Sequence, residues 1–268
     1  MSIRSKLNGL MEVLQFTNRW QLLVNLLFFR KTNLTVYRLG KVEFIVDVDG
    51  CDNNGVRHAI ASKMYRELLP KCLWDSEVSV LDLGSNAGGF PMLLEIMGIS
   101  VKRLVCVEMN QNTFRRLKFN ISRNLDCNAT FINAAVCGHR QTLDLVLGNG
   151  DTGDSIYRDS ACSVERGVRR QLVEGVLFDD IYEQEFKGYE RIDLCKMDVE
   201  GAEYEILSRP GHQSLKRFEW LLVEIHDACD AEKTNQFLVQ VRDLGFVEVG
   251  RHGNVAIFQN QAEGICRH

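Results

Sequence analysis

Apolar and polar positions alternate along this chain in two periods, and the alternation predicts strands interleaved with helices. The clearest run is Val78, Val80, Leu81 and Leu83, which closes on Asp82 and the glycines Gly84, Gly88 and Gly89. Pro91–Met97 then reads as a helix stopped by Gly98. Arg103–Val107 is a second apolar run, tipped by Glu108. Asn110 or Asn112 can cap a helix that puts Phe114, Leu117, Ile121 and Leu125 on one face. Thr130–Ile132, Ile192–Met197 and Trp220–Val223 read as further strands. Asn235–Leu244 reads as a helix ended by Gly245, and Phe246–Val249 with Val255–Phe258 as a terminal hairpin around Gly250 and Gly253. Such a sequence predicts an α/β fold, a mostly parallel sheet with helices on both faces.

The flanking stretches are less regular. Leu7, Leu10, Met11, Leu14 and Leu22, Leu23, Leu26, Leu27 fit one or two amphipathic helices. Leu22–Phe29 is too short to span a bilayer, which takes about 20 residues. Glu12 and the lack of a small-residue cleavage site argue against a signal peptide. The reading is a helix packed on the following domain, with peripheral membrane or partner contact through Trp20, Phe28 and Phe29 as the alternative. Thr35–Leu39 and Val42–Val46 flank Gly40-Lys41 as a hairpin. Asp47, Asp49 and Asp52 crowd a polar loop without the bidentate Glu of a calcium site. His58–Leu69 reads as a helix ended by Pro70, Thr142–Leu147 as an added strand, and Gly148–Val173 as an irregular excursion over the site. The expected organisation is an N-terminal helical and hairpin extension, residues 1–75, before a ligand-binding domain, residues 76–268.

Composition narrows the function classes. With 45% hydrophobic and 25% charged residues and a net charge of −4, the chain is of ordinary globular type. Its acidic balance excludes binding driven by nucleic-acid phosphates. Nine cysteines without a C-x-x-C pair predict reduced thiols in a cytoplasmic setting, with neither a disulfide frame nor a zinc site.

The candidate chemistry sits at the predicted strand tips. The turn reads D-x-G-x-N-x-G, with Asn86 where a dinucleotide fingerprint has glycine. Asp82 would repel a diphosphate and attract an ammonium, such as that of the amino-acid moiety of S-adenosylmethionine. Glu108 lies 20 residues beyond Gly88, the spacing of a ribose-binding acid. Asn133, after the third strand, can meet an adenine edge or finish a turn. Asp198, Glu200, Glu224 and His226 end two neighbouring strands and can converge beside a cofactor's reactive end. Lys196 shares a strand face with Asp198. Glu203 reads as a helix-dipole residue and Asp227 as an N-cap.

These motifs carry a family resemblance. LDLGSNAGGF, CKMDVEGAEYEIL and LLVEIHD make the stretch from about Lys41 to Phe258 similar to the FkbM family of S-adenosylmethionine-dependent methyltransferases. The resemblance implies a class I, Rossmann-like sheet of seven strands in the order 3-2-1-4-5-7-6 with the last strand antiparallel. It gives Asp82, Gly84, Asn86 and Gly88 cofactor-binding roles and Glu108 the ribose role, with Val107 and Met109 replacing the usual neighbours. It implies O-methylation, often of sugar hydroxyls. His226 or Asp198 is the expected base, with Glu200 and Glu224 orienting. The alternative has Asp198, Glu224 and His226 holding Mg²⁺ or Mn²⁺, which the sequence does not require. Rival classes are an N- or protein methyltransferase, a nicotinamide-dependent oxidoreductase, and a non-catalytic cofactor-binding subunit.

Overall fold

The computed structural model describes residues 9–28, 34–48, 52–74, 76–147, 169–226 and 230–261. Residues 9–13 are helical and lead to helix α1 (Arg19–Phe28), the hairpin β1 (Leu34–Leu39) and β2 (Val42–Asp47), and helices α2 (Asp52–Ala61) and α3 (Lys63–Leu68). The alternating part opens with β3 (Val78–Leu83), α4 (Gly89–Ile96), β4 (Val101–Val107), α5 (Gln111–Asn124) and β5 (Asn128–Ile132). Then come β6 (Ala135–Val136), β7 (Gln141–Leu147), β8 (Arg169–Val176), α6 (Phe178–Glu185), β9 (Ile192–Met197) and α7 (Ala202–Ser208). The last elements are β10 (Phe218–Glu224), α8 (Ala231–Asp243), β11 (Phe246–His252) and β12 (Val255–Asn260).

The central sheet has the order β11-β12-β10-β9-β3-β4-β5. Counted along the chain, its strands run 3-2-1-4-5-7-6, as the resemblance implied. β12 pairs antiparallel with β10, whereas β3 pairs parallel with both β4 and β9. Because successive connections leave β3 in opposite directions, a crevice opens above the tips of β3 and β9. Every residue of β3 and β9 is buried, as expected of parallel strands covered on both faces. Val80 joins the apolar cluster on one face and its neighbour Leu81 the cluster on the other.

The N-terminal segment shares the first of these clusters. Phe16, Tyr37 and Phe44 pack ring on ring, with centroids 4.8 Å (Phe16–Tyr37) and 5.5 Å (Tyr37–Phe44) apart. The hairpin is tied to α5 by two asparagines four residues apart, which share a helix face. Asn120 accepts from Ile45 N and donates to Ile45 O, at 2.8 and 2.9 Å. Asn124 does the same for Glu43, at 2.8 and 2.7 Å. Two side-chain amides thereby satisfy an edge that would otherwise have no backbone partner.

Several expectations are corrected. The helix expected over His58–Leu69 begins at Asp52 and breaks at Ser62, whose φ and ψ of −73° and 159° are extended. The Ser62 hydroxyl makes no capping bond, and Arg66 Nε and Nη2 donate to Ile60 O beside the break, at 3.1 and 2.9 Å. Pro70 falls in a 3-10 turn, Leu69–Lys71. The excursion expected over Gly148–Val173 is overturned for Arg169–Val173, which belongs to β8 and pairs antiparallel with β7. That strand is held by pairing rather than by an apolar period, since Arg169, Arg170 and Gln171 open it. The helix expected from Asn235 begins at Ala231, capped by the Asp230 carboxylate. Residues 148–168, Leu7, Phe29, Asp49 and Asp227 lie outside the described residues. Among the described residues, no helix is long and apolar enough to cross a membrane.

Candidate active site

A cavity of about 560 Å³ occupies the crevice. The turn after β3 supplies Gly84, Ser85 and Asn86, and the tip of β4 supplies Glu108 and Met109. The segment Ala134–Val136 adds an apolar wall, and Lys196, Asp198, Glu200 and Glu224 complete the sheet edge. The opposite wall comes from the N-terminal segment, through Glu12, Arg57, His58 and Tyr65.

The glycines serve the protein's own backbone first. Gly84 has φ +73°, and a Cβ there would lie 1.7 Å from the Asp198 carbonyl oxygen. That close approach lets Asp198 N donate to Leu83 O at 3.1 Å, stitching the β3 and β9 tips together. Gly88, at φ +92°, would place a Cβ 2.9 Å from Ile121 Cδ1, and it does not line the cavity. Its role is to seat α4 on α5. Among the described residues, Asn86 and Glu200 are the two non-glycine residues with positive φ, 48° and 52°, and both stand on the cavity wall. Backbone held in this sparsely populated region clusters at functional sites.

Glu108 follows β4 directly and lines the cavity. One oxygen accepts from Asn86 N at 3.0 Å and the other from Asn110 N at 2.7 Å. A carboxylate oxygen can accept more than one hydrogen bond, which is the chemistry that a ligand's vicinal hydroxyls require. Asn133 is placed otherwise. Its amide donates to Glu108 O and Met109 O at 2.8 and 3.0 Å, finishing the turn, and it does not line the cavity.

Asp82 is the larger departure. Its side chain has no exposed surface and lies behind the cavity wall, 3.3 Å from Lys196 Nζ. Burial pushes its carboxyl above the ordinary range, while the Lys196 ammonium pulls it back. Lys196 is the hub of this layer: its Nζ donates to Gly84 O at 2.9 Å and lies 3.2 Å from Asp198 Oδ2. Desolvation opposes its charge, but Asp198 and Asp82 outweigh it and hold the ammonium well above its usual range. The sequence shows Lys196 two residues from Asp198 on one strand face, but assigns it no role.

Asp198, Glu200 and His226 do converge. His226 Nε2 lies 3.7 Å from Asp198 Oδ1 and 3.5 Å from Glu200 Oε2. Its Nδ1 faces Glu203 Oε1 at 3.2 Å, and its backbone N–H donates to the same oxygen at 2.8 Å. Glu203 is completely buried, and its other oxygen accepts from Gly201 N at 2.9 Å. It is a positioning residue for the imidazole rather than only a helix-dipole partner. Tyr204 OH donates to the His226 carbonyl. Desolvation works against the His226 charge, but the Glu203 bond, reinforced by Asp198 and Glu200, raises it to about 9. Glu224 is pushed above its ordinary range by burial and by Asp198, and Asn254 Nδ2 donates to it at 2.8 Å. Glu203 and Asn254 hold the cluster from behind, and no motif marks Asn254.

The N-terminal wall carries its own charged group. Arg57 Nε donates to Glu12 Oε2 at 2.8 Å, and His58 Nδ1 lies 3.1 Å from Oε1. Burial opposes the Glu12 charge, yet these two partners lower its pKa overall. The hydrophobic period of α2 gives no sign of this arrangement.

The model of the "Methyltransferase FkbM domain" matches residues 82–248. No protein with a curated description matches the chain. Among solved structures, the chain is similar to Methyltransferase FkbM from Methylobacillus flagellatus KT at 16% identity and a TM-score of 0.47. That match covers 74% of this chain but 47% of the other, so the chain spans about half the length of that relative. A methyltransferase from Pyrococcus furiosus is similar at 12% identity over 73% of this chain and 81% of that one, TM-score 0.39. M. jannaschii TYW2, solved in complex with AdoMet, is similar at 12% identity over 86% and 88%, TM-score 0.39. With the family model covering more than half of its length, and a sheet in the order the family motifs implied, the chain belongs to the FkbM methyltransferase family.

Proposed function

We propose that this protein transfers the methyl group of S-adenosylmethionine to a hydroxyl oxygen, on a sugar or another small polyhydroxylated acceptor. One arrangement carries the reading. Glu108 and Asp198 border the same cavity from β4 and β9, the two strands that flank β3, with Glu200 and Glu224 beside Asp198. His226 lies outside this lining and meets it through Nε2, 3.7 Å from Asp198 Oδ1. Two strand spacings separate Glu108 from Asp198 by about 10 Å. A cofactor whose ribose hydroxyls meet Glu108 would then present its sulfonium near the glycine turn, facing Asp198. The apolar stretch Ala134–Val136, with Met109, offers a surface for the adenine.

Methyl transfer from a sulfonium is an in-line displacement: the carbon–oxygen bond forms as the sulfur–carbon bond breaks. The acceptor must be held close and aligned, which supplies much of the rate. Its proton becomes strongly acidic as the new bond forms, so a carboxylate suffices to take it. At neutral pH His226 holds its own proton, because its pKa is raised to about 9. Asp198 therefore takes the proton from the acceptor, and the His226 imidazolium steadies the surrounding carboxylates. Glu12, Arg57, His58 and Tyr65, which belong to residues 1–75 as an extension of the domain formed by 76–268, line the cavity and shape the acceptor side.

A second reading rests on one further observation. Asp198, Glu224 and His226 each offer a ligand atom, all within 4.8 Å of one another. Each is also held from behind: Asp198 Oδ2 by Lys196, Glu224 Oε1 by Asn254 and His226 Nδ1 by Glu203. That backing is how metal ligands are commonly oriented, and an oxygen-rich set fits Mg²⁺ or Mn²⁺. Such a cation would acidify a bound hydroxyl. In this reading His226 binds as the neutral imidazole.

Incubation with methyl-labelled S-adenosylmethionine and a panel of polyols, amines and peptides tests the reading. Label in an ether product, with S-adenosylhomocysteine released, supports it. Label only in amines or peptides would contradict it. Loss of transfer in chelator, restored by Mg²⁺ or Mn²⁺, would select the second mechanism.

A further inference from the structure

The apolar side chains left uncovered by this fold are not scattered. Of the fifteen exposed large hydrophobic residues among those described, nine fall within residues 10–36. On α1, Trp20, Val24, Leu27 and Phe28 stand at i, i+4, i+7 and i+8, which is one helix face. They are 70%, 46%, 66% and 74% exposed, whereas Leu22 is buried in the core. The helix thus has two apolar faces, one packed and one bare. Single exposed hydrophobic residues need no explanation, but a bare helix face does.

The charge around this face favours one occupant. Residues 1–42 contain seven basic residues, Arg4, Lys6, Arg19, Arg30, Lys31, Arg38 and Lys41, and a single acid, Glu12, in a chain whose net charge is −4. Glu12 is itself taken up by Arg57 and His58. Arg38 and Lys41 are paired with Glu43 and Glu95, so the other five basic residues carry the excess of positive charge in this stretch. The rest of the molecule is therefore strongly acidic. Trp and Phe rings beside Arg and Lys match an anionic lipid–water interface, where the rings sit at headgroup level and the cations meet phosphate. The acidic body would be repelled by the same surface, which fixes the side presented to it.

We propose that the bare face of α1, with its basic flanks, docks the protein on an anionic lipid bilayer. At ten residues α1 is too short to cross, so it lies in the plane of the interface. The helical turn 9–13 connects this surface to the site. Leu10 and Met11 are exposed on that turn, while Gly9 and Glu12 line the cavity. Docking therefore places one wall of the cavity at the membrane boundary.

Flotation of the full chain with lipid vesicles tests this directly. Vesicles of phosphatidylcholine mixed with about one third phosphatidylglycerol should carry the protein upward, and pure phosphatidylcholine vesicles should carry much less. High salt should reduce the bound fraction. Tryptophan emission should shift to the blue on binding. Trp20→Phe should abolish that shift while keeping flotation, since Trp220 is buried and Trp74 is partly buried. The double variant Trp20→Glu, Phe28→Glu should lower the bound fraction by at least about tenfold, with unchanged circular dichroism and thermal midpoint. Absence of flotation with anionic vesicles overturns the proposal. A dimer in analytical ultracentrifugation that the double variant dissociates, without lipid binding, also overturns it and assigns the face to a second copy of the chain.

Discussion

A single oxygen of Glu203 accepts both the backbone N–H and the Nδ1–H of His226, at 2.8 and 3.2 Å. One fully buried carboxylate thus fixes the ring's position and directs Nε2 toward Asp198 and Glu200. Glu203→Gln removes that charge, so the His226 pKa should fall from about 9 toward the ordinary value of 6.5. An NMR titration of the His226 ring in metal-free protein measures this; an unchanged pKa would refute the assignment.

The same pair links stability to pH. His226 has a folded-state pKa above its unfolded one, so its contribution is fully present below about 6.5 and is lost as pH rises through about 9. Denaturant midpoints measured across that window should decline in the natural protein. The decline should be shallower in Glu203→Gln.

Methyl transfer should respond to pH in a way that separates the two candidate bases. With Asp198 taking the proton, the rate is level near neutrality and falls as the imidazolium is lost near pH 9. With His226 as the base, the rate would instead climb through the same region.

Lys196→Met should destabilise strongly. It leaves the buried Asp82 carboxylate without its cation, and breaking a buried pair from one side costs about 3–5 kcal/mol. Equilibrium unfolding in urea provides the measurement. The paired change Lys196→Met, Asp82→Leu should recover part of the loss, because no unpaired charge remains.

Gly84→Ala should cost at least about 2 kcal/mol, combining positive φ with overpacking. Its Cβ would lie 1.7 Å from the Asp198 carbonyl oxygen, so the β3 and β9 tips must separate. Thermal unfolding measures the cost, and methyl transfer should fall with it.

How far the sequence disclosed this arrangement can be followed residue by residue. The strand tips were legible, because apolar runs ending in Asp82, Glu108, Asp198 and Glu224 carry their own period. Depth below the surface was not. Asp82 and Glu108 look alike as strand-end acids, yet the first is buried against Lys196 behind the cavity wall, while backbone donors hold the second at the cavity. Asn133 offered two roles to the sequence, and its Nδ2 makes the turn-closing bonds to Glu108 O and Met109 O. Glu203, Asn254 and the Glu12–Arg57–His58 group act from elements remote in the chain, and contacts of that kind leave no local pattern.

Calorimetric titration with S-adenosylmethionine, alongside NADH, tests the central claim most directly. The account predicts binding of S-adenosylmethionine and none of NADH. Glu108→Ala should weaken the former by about 10- to 100-fold, the worth of hydrogen bonds to a charged acceptor. Glu108 serves as the control because it lines the cavity and Asp82 does not; an unchanged thermal midpoint in Glu108→Ala shows that the fold is kept. Binding of NADH alone, or S-adenosylmethionine binding indifferent to Glu108, would contradict the account.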